Sequence, residues 1–470
     1  MEFEKRSLNF LPVCRYWYEV ASRTPELWAS WGNTLQDWTN WHLRYPNTPL
    51  ELVLDRERGK NRDASLDAGV RNTLRDRASR DTIRLVHLRS KDGRLLNSIL
   101  GTLATDRREV RDSRMESFIL QNEGGTIVDA SNFLARTQFQ KLRHLDLTNC
   151  MISSWDDLTP QTEFLTTLVL HLSPSLSSPT TPQLLSFLAS SPSLQELTLT
   201  GYSLPGDQNE CYSQVSLPQL KRLKLAGENK DVSMFLDRLV HPDILDHLDI
   251  SLDGPRDISS TIGPYLRDYF RRRGRPQSCL GVYASFSRGL LFHLGDGDNL
   301  RFHPPTLLSE PIVPFLVITV ADQIFAQDSP EELFLGLIAH IPQEEIVYLR
   351  MYGSPMAIRS NPTTMGRIYA LLPNLKVLYF KLIHLYALFP EPRPNGTVWF
   401  PSQNLRYVFL ERVLTGGDWT PLTTFLYFSF RTSSAKRLDF LQITGRTNMS
   451  REVEDDIRSS VQDLRHVRLD

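Results

Sequence analysis

The feature that most constrains the fold of this chain is a short leucine pattern, L-x-x-L-x-L, that recurs along it. In residues 142–150 the pattern is formed by Leu142, Leu145 and Leu147, and Cys150 follows three positions later. One match means little because leucine is common, but a long series predicts a repeat architecture. Clear copies begin at Leu142, Leu194, Leu220, Leu245, Ile346, Leu375, Leu405, Leu438 and Leu464, and weaker copies are centred on Val86, Phe118, Leu168, Val282 and Ile318.

The physical basis of the pattern is strand geometry. Side chains alternate between the two faces of a strand, so the last two apolar residues of each copy point to the same side. A single unit cannot bury that apolar side, whereas stacked neighbours form a continuous core. The copy at 142–150 resembles the strand segment of a leucine-rich repeat. The resemblance implies parallel strands on the concave face of a solenoid, with helices outside.

Helical segments lie between the predicted strands. Residues 181–194 begin with Thr181 as an expected N-cap and Pro182 in the first helical position. Residues 329–345 and 363–375 show the same order of helix, proline-bearing turn and strand. This order predicts an α/β fold, a right-handed leucine-rich-repeat solenoid. A doubly wound sheet is the alternative, but it needs far fewer strands.

Composition excludes several functional classes. The chain has 470 residues, of which 41% are hydrophobic and 23% charged, and its net charge is -1. It is therefore expected to fold, without general attraction to nucleic acid or to an acidic membrane. The four cysteines lie far apart and form no CxxC, so we expect neither a disulfide framework nor a zinc site.

Sequence motifs of catalysis are missing from the chain. There is no P-loop, no G-x-S-x-G and no H-E-x-x-H, so we expect no enzyme activity, cofactor or metal. The charged first ten residues do not resemble a signal peptide, and we expect a cytoplasmic or nuclear protein. The run 271–275 holds four arginines. It is either a phosphate or nuclear-import patch or, as we favour, a solvated loop.

Residues 7–31 carry a second resemblance. The matching residues are Val13, Cys14, Arg15, Trp17, Val20, Ala21, Pro25, Leu27 and Trp28. They resemble the second half of an F-box, and the following segment 34–54 is similar to the linker of fungal F-box-like proteins, where a tryptophan-bearing helix precedes a strand. The resemblance implies a subunit that docks on a Skp-family adaptor and presents a protein substrate to a cullin-based ubiquitin ligase. The implied adaptor-docking residues are Leu11, Pro12, Val13, Cys14, Trp17, Val20, Leu27 and Trp28.

The first half of the F-box pattern would lie ahead of Ser7, where only six residues stand. Two interpretations follow. In the first, the chain is a subunit of the ligase. In the second, it is a repeat scaffold that no longer docks on the adaptor because its F-box is truncated, and its tryptophans cover the first repeat. We expect a partial F-box-like helical segment at 1–31, a helical linker and cap at 32–80, and the repeat solenoid at 81–470.

The residues that flank the central leucine of each copy should point to the concave face. These positions are charged in the early copies, such as His144 and Asp146, and aromatic in the late ones. Aromatic clusters are common centres of binding. The predicted partner-binding residues are Tyr348, Arg350, Tyr379, Tyr407, Phe409 and Phe440. The alternative is that another segment covers these aromatic side chains, or that the strand phase is different.

Overall fold

The fold is seen in a computed structural model of the whole chain. The residues that it describes are 50–56, 83–104, 114–137, 139–153, 155, 162–172, 179–202, 214–242, 245–253, 258–273, 280–285, 289–296, 314–321, 330–353, 362–388, 404–413, 415, 417–427, 430, 437–445 and 448–467. They divide into two compact units. Unit 1 comprises Met1–Arg222 and Arg238–Pro242, and unit 2 comprises Leu223–Asp237 and Asp243–Asp470.

Strands and helices alternate along most of the described chain. The strands are β1 (Leu50–Arg56), β2 (Ile83–Ser90), β3 (Ser117–Asn122), β4 (Val128–Asp129), β5 (His144–Thr148), β6 (Cys150–Met151), β7 (Thr167–His171), β8 (Glu196–Tyr202), β9 (Val215–Ser216), β10 (Arg222–Gly227), β11 (Leu239–Val240), β12 (His247–Leu252), β13 (Leu280–Ser285), β14 (Gly289–Asp296), β15 (Pro314–Ala321), β16 (Ile346–Tyr352), β17 (Val377–Lys381), β18 (Tyr407–Glu411), β19 (Leu438–Thr444) and β20 (Val461–Val467).

The helices are α1 (Gly93–Ala104), α2 (Ser131–Arg136), α3 (Thr181–Ala189), α4 (Asn229–Arg238), α5 (Ile258–Arg273), α6 (Pro330–Ile338), α7 (Pro362–Leu371), α8 (Leu385–Leu388), α9 (Thr420–Leu426) and α10 (Arg451–Ser460), with a 3₁₀ turn at Gln343–Glu345. The α/β fold class of leucine-rich-repeat type is thereby confirmed. Helix α3 begins one residue earlier than the sequence predicts. Its N-cap is Thr180, whose hydroxyl accepts from the Gln183 N–H at 3.4 Å while the Gln183 side chain accepts from the Thr180 N–H.

Unit 1 is built on a parallel sheet in the order β1-β2-β3-β5-β7-β8. Its register aligns the leucine pattern of each repeat with that of the next. Two buried columns result, formed by Leu52, Val86, Phe118, Leu145, Leu168 and Leu197 and by Leu54, Leu88, Leu120, Leu147, Leu170 and Leu199. The predicted repeat copies in this unit are therefore confirmed, including the weak ones.

The sheet begins earlier than the predicted solenoid. Strand β1 lies inside the 32–80 segment that the sequence assigns to a helical linker and cap, and it pairs in parallel with β2. The strand that the fungal linker resemblance implies near residue 50 is therefore present, and it belongs to the sheet. The rest of that segment lies outside the described residues.

Unit 2 carries the order β10-β12-β15-β14-β13-β16-β17-β18-β19-β20. Most neighbours are parallel, but β14 is antiparallel to both β13 and β15. Because three residues join β13 to β14, the chain returns as an antiparallel strand, and a helical crossover does not fit between them. The sequence pattern did not predict this reversed three-strand insertion, since it assumed one helix between every two strands.

The last repeat also has a different phase. The sequence assigns it to Leu464, Val467 and Leu469, but β19 pairs Leu441 with Leu464. Leu464 therefore occupies the central position of the repeat, and the preceding anchor position falls on Val461, which pairs with Leu438. The predicted phase differs by three residues because Leu464, Val467 and Leu469 fit the apolar pattern, whereas the observed register places the polar His466 at its third position.

Candidate functional site

The side of the unit 1 sheet that faces away from the leucine columns is the first candidate site. Along β2, β3, β7 and β8, buried leucine-side residues alternate with half-buried residues of the other side. This second side is called the open face. Its members are His87, Arg89, Ser117, Ile119, Gln121, His144, Asp146, Thr148, Thr167, Val169, His171, Glu196, Thr198, Thr200 and Arg222.

Polar interactions between neighbouring strands organise the open face. Gln121 donates through Nε2 to Asp146 Oδ2 at 2.9 Å, and Thr148 donates to the other carboxylate oxygen at 3.3 Å. Arg222 forms an ion pair with Glu196 at 3.3 Å, with 64% and 44% of the two side chains exposed. Such exposed pairs contribute little to stability and are free to exchange partners. The open face therefore offers both charges to a binding partner.

His144 lies at the centre of this polar surface. Burial lowers the pKa of His144 below its ordinary value, although the carboxylates of Asp146 and Glu196 act in the opposite direction. The imidazole is therefore neutral near pH 7, and it can both donate and accept a hydrogen bond.

The corresponding side of β16–β19 in unit 2 is aromatic. It is called the aromatic face, and it holds Tyr348, Arg350, Tyr352, Val377, Tyr379, Lys381, Tyr407, Phe409, Glu411, Phe440, Gln442 and Thr444. Ring centroids are 6.1 Å apart for Tyr352 and Tyr379, 6.3 Å for Tyr379 and Phe409, and 5.5 Å for Phe409 and Phe440. These offset contacts run across four strands and stabilise the sheet.

Charged groups close one end of the aromatic face. The Arg350 guanidinium lies 4.5 Å from the Tyr379 ring centroid, and it donates to the Tyr352 hydroxyl at 2.7 Å. Lys381 pairs with Glu411 at 2.6 Å, and the Tyr379 hydroxyl also donates to Glu411. Burial and the bond to Glu411 both raise the pKa of Tyr379. Tyr379 is therefore a neutral donor over the whole physiological range.

The six predicted partner-binding residues lie together on this face, as the sequence indicates, but four of them are buried. Tyr348, Tyr379, Phe409 and Phe440 are each 2% exposed. Arg350 and Tyr407 are half-buried. The expectation of an open aromatic surface is therefore wrong, because both sides of β17 and β18 are covered. A role of the six residues in partner binding remains a prediction.

The eight predicted adaptor-docking residues lie outside the described part of the chain.

The arginine run was predicted to be a solvated loop. Residues 271–273 of this run form the last turn of α5. There Arg273 lies 3.7 Å from the Phe315 ring centroid and Arg271 pairs with Asp268 at 3.0 Å. Two of the run's arginines are thus engaged within the fold, which weakens its reading as a phosphate patch.

The described segments contain no cluster of three or more His, Cys, Asp or Glu side chains placed to hold a metal ion. None of their helices has the length and apolar character that crossing a membrane requires.

The buried Cys150 is a free thiol, and burial raises its pKa to about 12. It is therefore a packing residue and not a reactive thiolate.

Comparisons with known proteins found distant similarity to solved structures. No family model matches the chain, and no curated protein matches it in sequence. Among solved structures, the Rad7–Elc1 complex of yeast is similar with 12% identity and a TM-score of 0.28, over 86% of this chain and 96% of that one. The leucine-rich-repeat protein LegL7 of Legionella pneumophila is similar with 13% identity and a TM-score of 0.24, over 84% and 94%. The assignment of the fold rests on the strand register of this chain and not on these scores.

Proposed function

We propose that this chain is a non-catalytic protein-recognition scaffold, and that its partner binds the open face of unit 1. One observation carries the proposal: along β2, β3, β7 and β8 the leucine-side residues are buried, whereas the residues of the other side are half-exposed and mostly polar. A half-exposed sheet side that bears paired charges is suited to binding another protein.

The chemistry of the open face indicates the kind of partner. Arg89 pairs with Glu123 and Arg222 pairs with Glu196, so these pairs hold both charges in equal number, and Ile119 adds apolar surface. A partner segment of mixed charge complements such a surface, whereas nucleic acid requires a net positive one. The described face has no such excess, so the partner is a protein.

The finer proposal is that the chain is the substrate-recognition subunit of a Skp–cullin–F-box-type ubiquitin ligase, in the cytoplasm or the nucleus. Its support is the F-box resemblance of Val13, Cys14, Trp17 and Trp28, together with a repeat domain that has a free face. The alternative is a scaffold that binds the same partner without docking on the ligase. The two differ in one interaction, the one with the Skp-family adaptor.

One experiment separates these readings. The full chain is affinity-purified from cells and the recovered proteins are quantified by mass spectrometry, which reports the adaptor and the partner together. Trp17→Ala should remove a Skp-family adaptor and retain the partner. If no adaptor is recovered with the wild-type chain, the scaffold alternative is correct.

A second pair of variants tests the binding face. The double substitution Arg89→Glu and Arg222→Glu should lower partner recovery at least about tenfold, because contacts at a binding centre typically contribute about 1–2 kcal/mol or more. The matched control is Arg367→Glu. Arg367 is an exposed arginine, 58% accessible, that pairs with Glu332 on the helices of unit 2. Equal loss with the control, or no loss with the double variant, would exclude the open face.

A further inference from the structure

Strand β20 has an exposed edge. It pairs with β19 on one side and is the last strand in the order of the described sheet. Five of its seven residues are exposed, including Val467 at 40%, and Leu464 is only half-buried although it occupies the central repeat position. A strand edge of this kind is a template for pairing with another strand.

The backbone groups of β20 that face the open edge can be identified. The Gly445 N–H donates to the Val467 carbonyl at 2.9 Å, so the polar groups of Val467 point towards β19. Because successive residues of a strand point their N–H and C=O groups to opposite sides, those of Gln462, Leu464 and His466 point to the open edge. These three positions are symmetric about Leu464.

The charges of the strand are also symmetric about Leu464, but with opposite sign. Asp463 precedes it and Arg465 follows it, and the two side chains pair at 3.1 Å with 48% of each exposed. In an antiparallel pair centred on Leu464, Asp463 of one copy lies opposite Arg465 of the other, and the reverse also holds. The open backbone groups of Gln462 then match those of His466 in the second copy. Both conditions for antiparallel pairing are met in the same register.

We propose that β20 pairs edge to edge with β20 of a second copy of this chain, forming a twofold homodimer. The axis passes between the two Leu464 residues and is perpendicular to the sheet, so the pairing is isologous. The charges select the register. A shift of one pair in either direction would bring Asp463 against Asp463 or Arg465 against Arg465, which is unfavourable.

The contact is small, so we expect a dissociation constant in roughly the micromolar range. The exposed pairs add specificity more than affinity, and the backbone pairing and the covering of Leu464 and Val467 supply the attraction. This proposal is independent of the proposed function, since β20 is not part of the open face.

The test is sedimentation velocity on the full chain over a range of concentrations. Wild type should show a concentration-dependent dimer. Asp463→Arg and Arg465→Asp should each raise the dissociation constant at least about tenfold, because one substitution creates two like-charged pairs in the dimer. Mixing the two variants should restore a dimer, now a heterodimer, because one strand carries two arginines and the other two aspartates.

The control is Arg271→Asp on α5, whose side chain is 72% exposed, and it should leave the dimer unchanged. Circular dichroism melts of each variant establish that the fold is retained. A wild-type chain that stays monomeric at every concentration overturns the proposal. So does a dimer that both single variants leave intact, or a mixture of the variants that fails to associate.

Discussion

Single residues with a positive φ lie at or near the ends of five strands of the described sheet. The position two residues after the last leucine of the pattern adopts a positive φ in five repeats, and it is occupied by Asn149, Gly201, Leu382, Arg412 and Gly445. A left-handed residue there turns the chain out of the strand, and its N–H bonds to the neighbouring repeat in several cases, as in Asn149 to the His171 carbonyl at 2.7 Å. Asparagine and glycine adopt this conformation at little cost, but leucine and arginine do not.

Gly201 is the position where this turn is most demanding. Its φ is +66°, and a Cβ atom would lie 2.0 Å from the Leu172 carbonyl oxygen. We expect Gly201→Ala to lower the free energy of unfolding by about 2–3 kcal/mol, since both the backbone and the contact are strained. The measurement is chemical denaturation of the purified chain.

The control for this prediction is Gly101→Ala in α1. A Cβ at Gly101 meets nothing within 4 Å, and the residue is exposed in a helix. That substitution should leave stability unchanged or raise it by about 1 kcal/mol. Equal effects of the two substitutions would contradict the role assigned to Gly201.

Strands β16–β19 differ from β2, β3, β7 and β8 because residues on both of their sides are buried. The aromatic face ends in the ion pair of Lys381 and Glu411, which joins β17 to β18. Burial alone would raise the pKa of Glu411, but hydrogen bonds from Lys381 and Tyr379 outweigh it and hold the pKa below its ordinary value.

The pH dependence of stability follows from this shift. A carboxyl group whose pKa is lowered by folding stabilises the fold above its ordinary pKa, and this stabilisation is lost as the pH falls through the lowered value. Glu411→Gln should therefore reduce the free energy of unfolding at pH 7 by roughly 0.5–1 kcal/mol, a modest value because the group is partly exposed and screened by solvent. The difference from wild type should vanish below the lowered pKa.

Denaturation curves between pH 7 and strongly acidic conditions provide the measurement. Glu454→Gln is the control, since Glu454 pairs with Arg458 at 2.7 Å on the exposed side of α10. It should change stability little at any pH. A Glu411→Gln effect that is independent of pH would show that the carboxylate charge has no part in holding β17 and β18 together.

The sequence predicted the strands whose positions follow from local properties alone. The spacing of Leu145 and Leu147 locates β5 because alternation in a strand and burial of leucine are both local properties. The same reasoning missed the reversed insertion of β14, since a strand's direction in a sheet depends on its connections and not on its own residues. The shifted phase at Leu464 has a similar cause, because the pairing with Leu441 sets it, although His466 then takes the third position that is apolar in other repeats.

For the whole molecule, the sequence predicted which side chains share a face but not which face is open. Tyr379, Phe409 and Phe440 lie on one side of β17–β19, as the sequence predicted. The aligned residues Leu378, Val408 and Leu441 lie on the other side. The burial of the three aromatic side chains could not be predicted, because it depends on what packs over the sheet. The less conspicuous polar side of β2, β3, β7 and β8 is half-exposed, and the candidate binding site therefore lies there.

The rings of Tyr379, Phe409 and Phe440 are buried in unit 2, whereas His144 and His171 on the open face of unit 1 are half-exposed. Hydroxyl-radical footprinting of the full chain with peptide mass spectrometry measures this difference and needs no knowledge of the partner. Tyr379, Phe409 and Phe440 should be oxidised several-fold more slowly than Tyr386 and Tyr427, which are 48% and 47% exposed. His144 and His171 on the open face should react. Oxidation of Tyr379 and Phe409 at the rate of Tyr386, with His144 and His171 protected, would contradict the account.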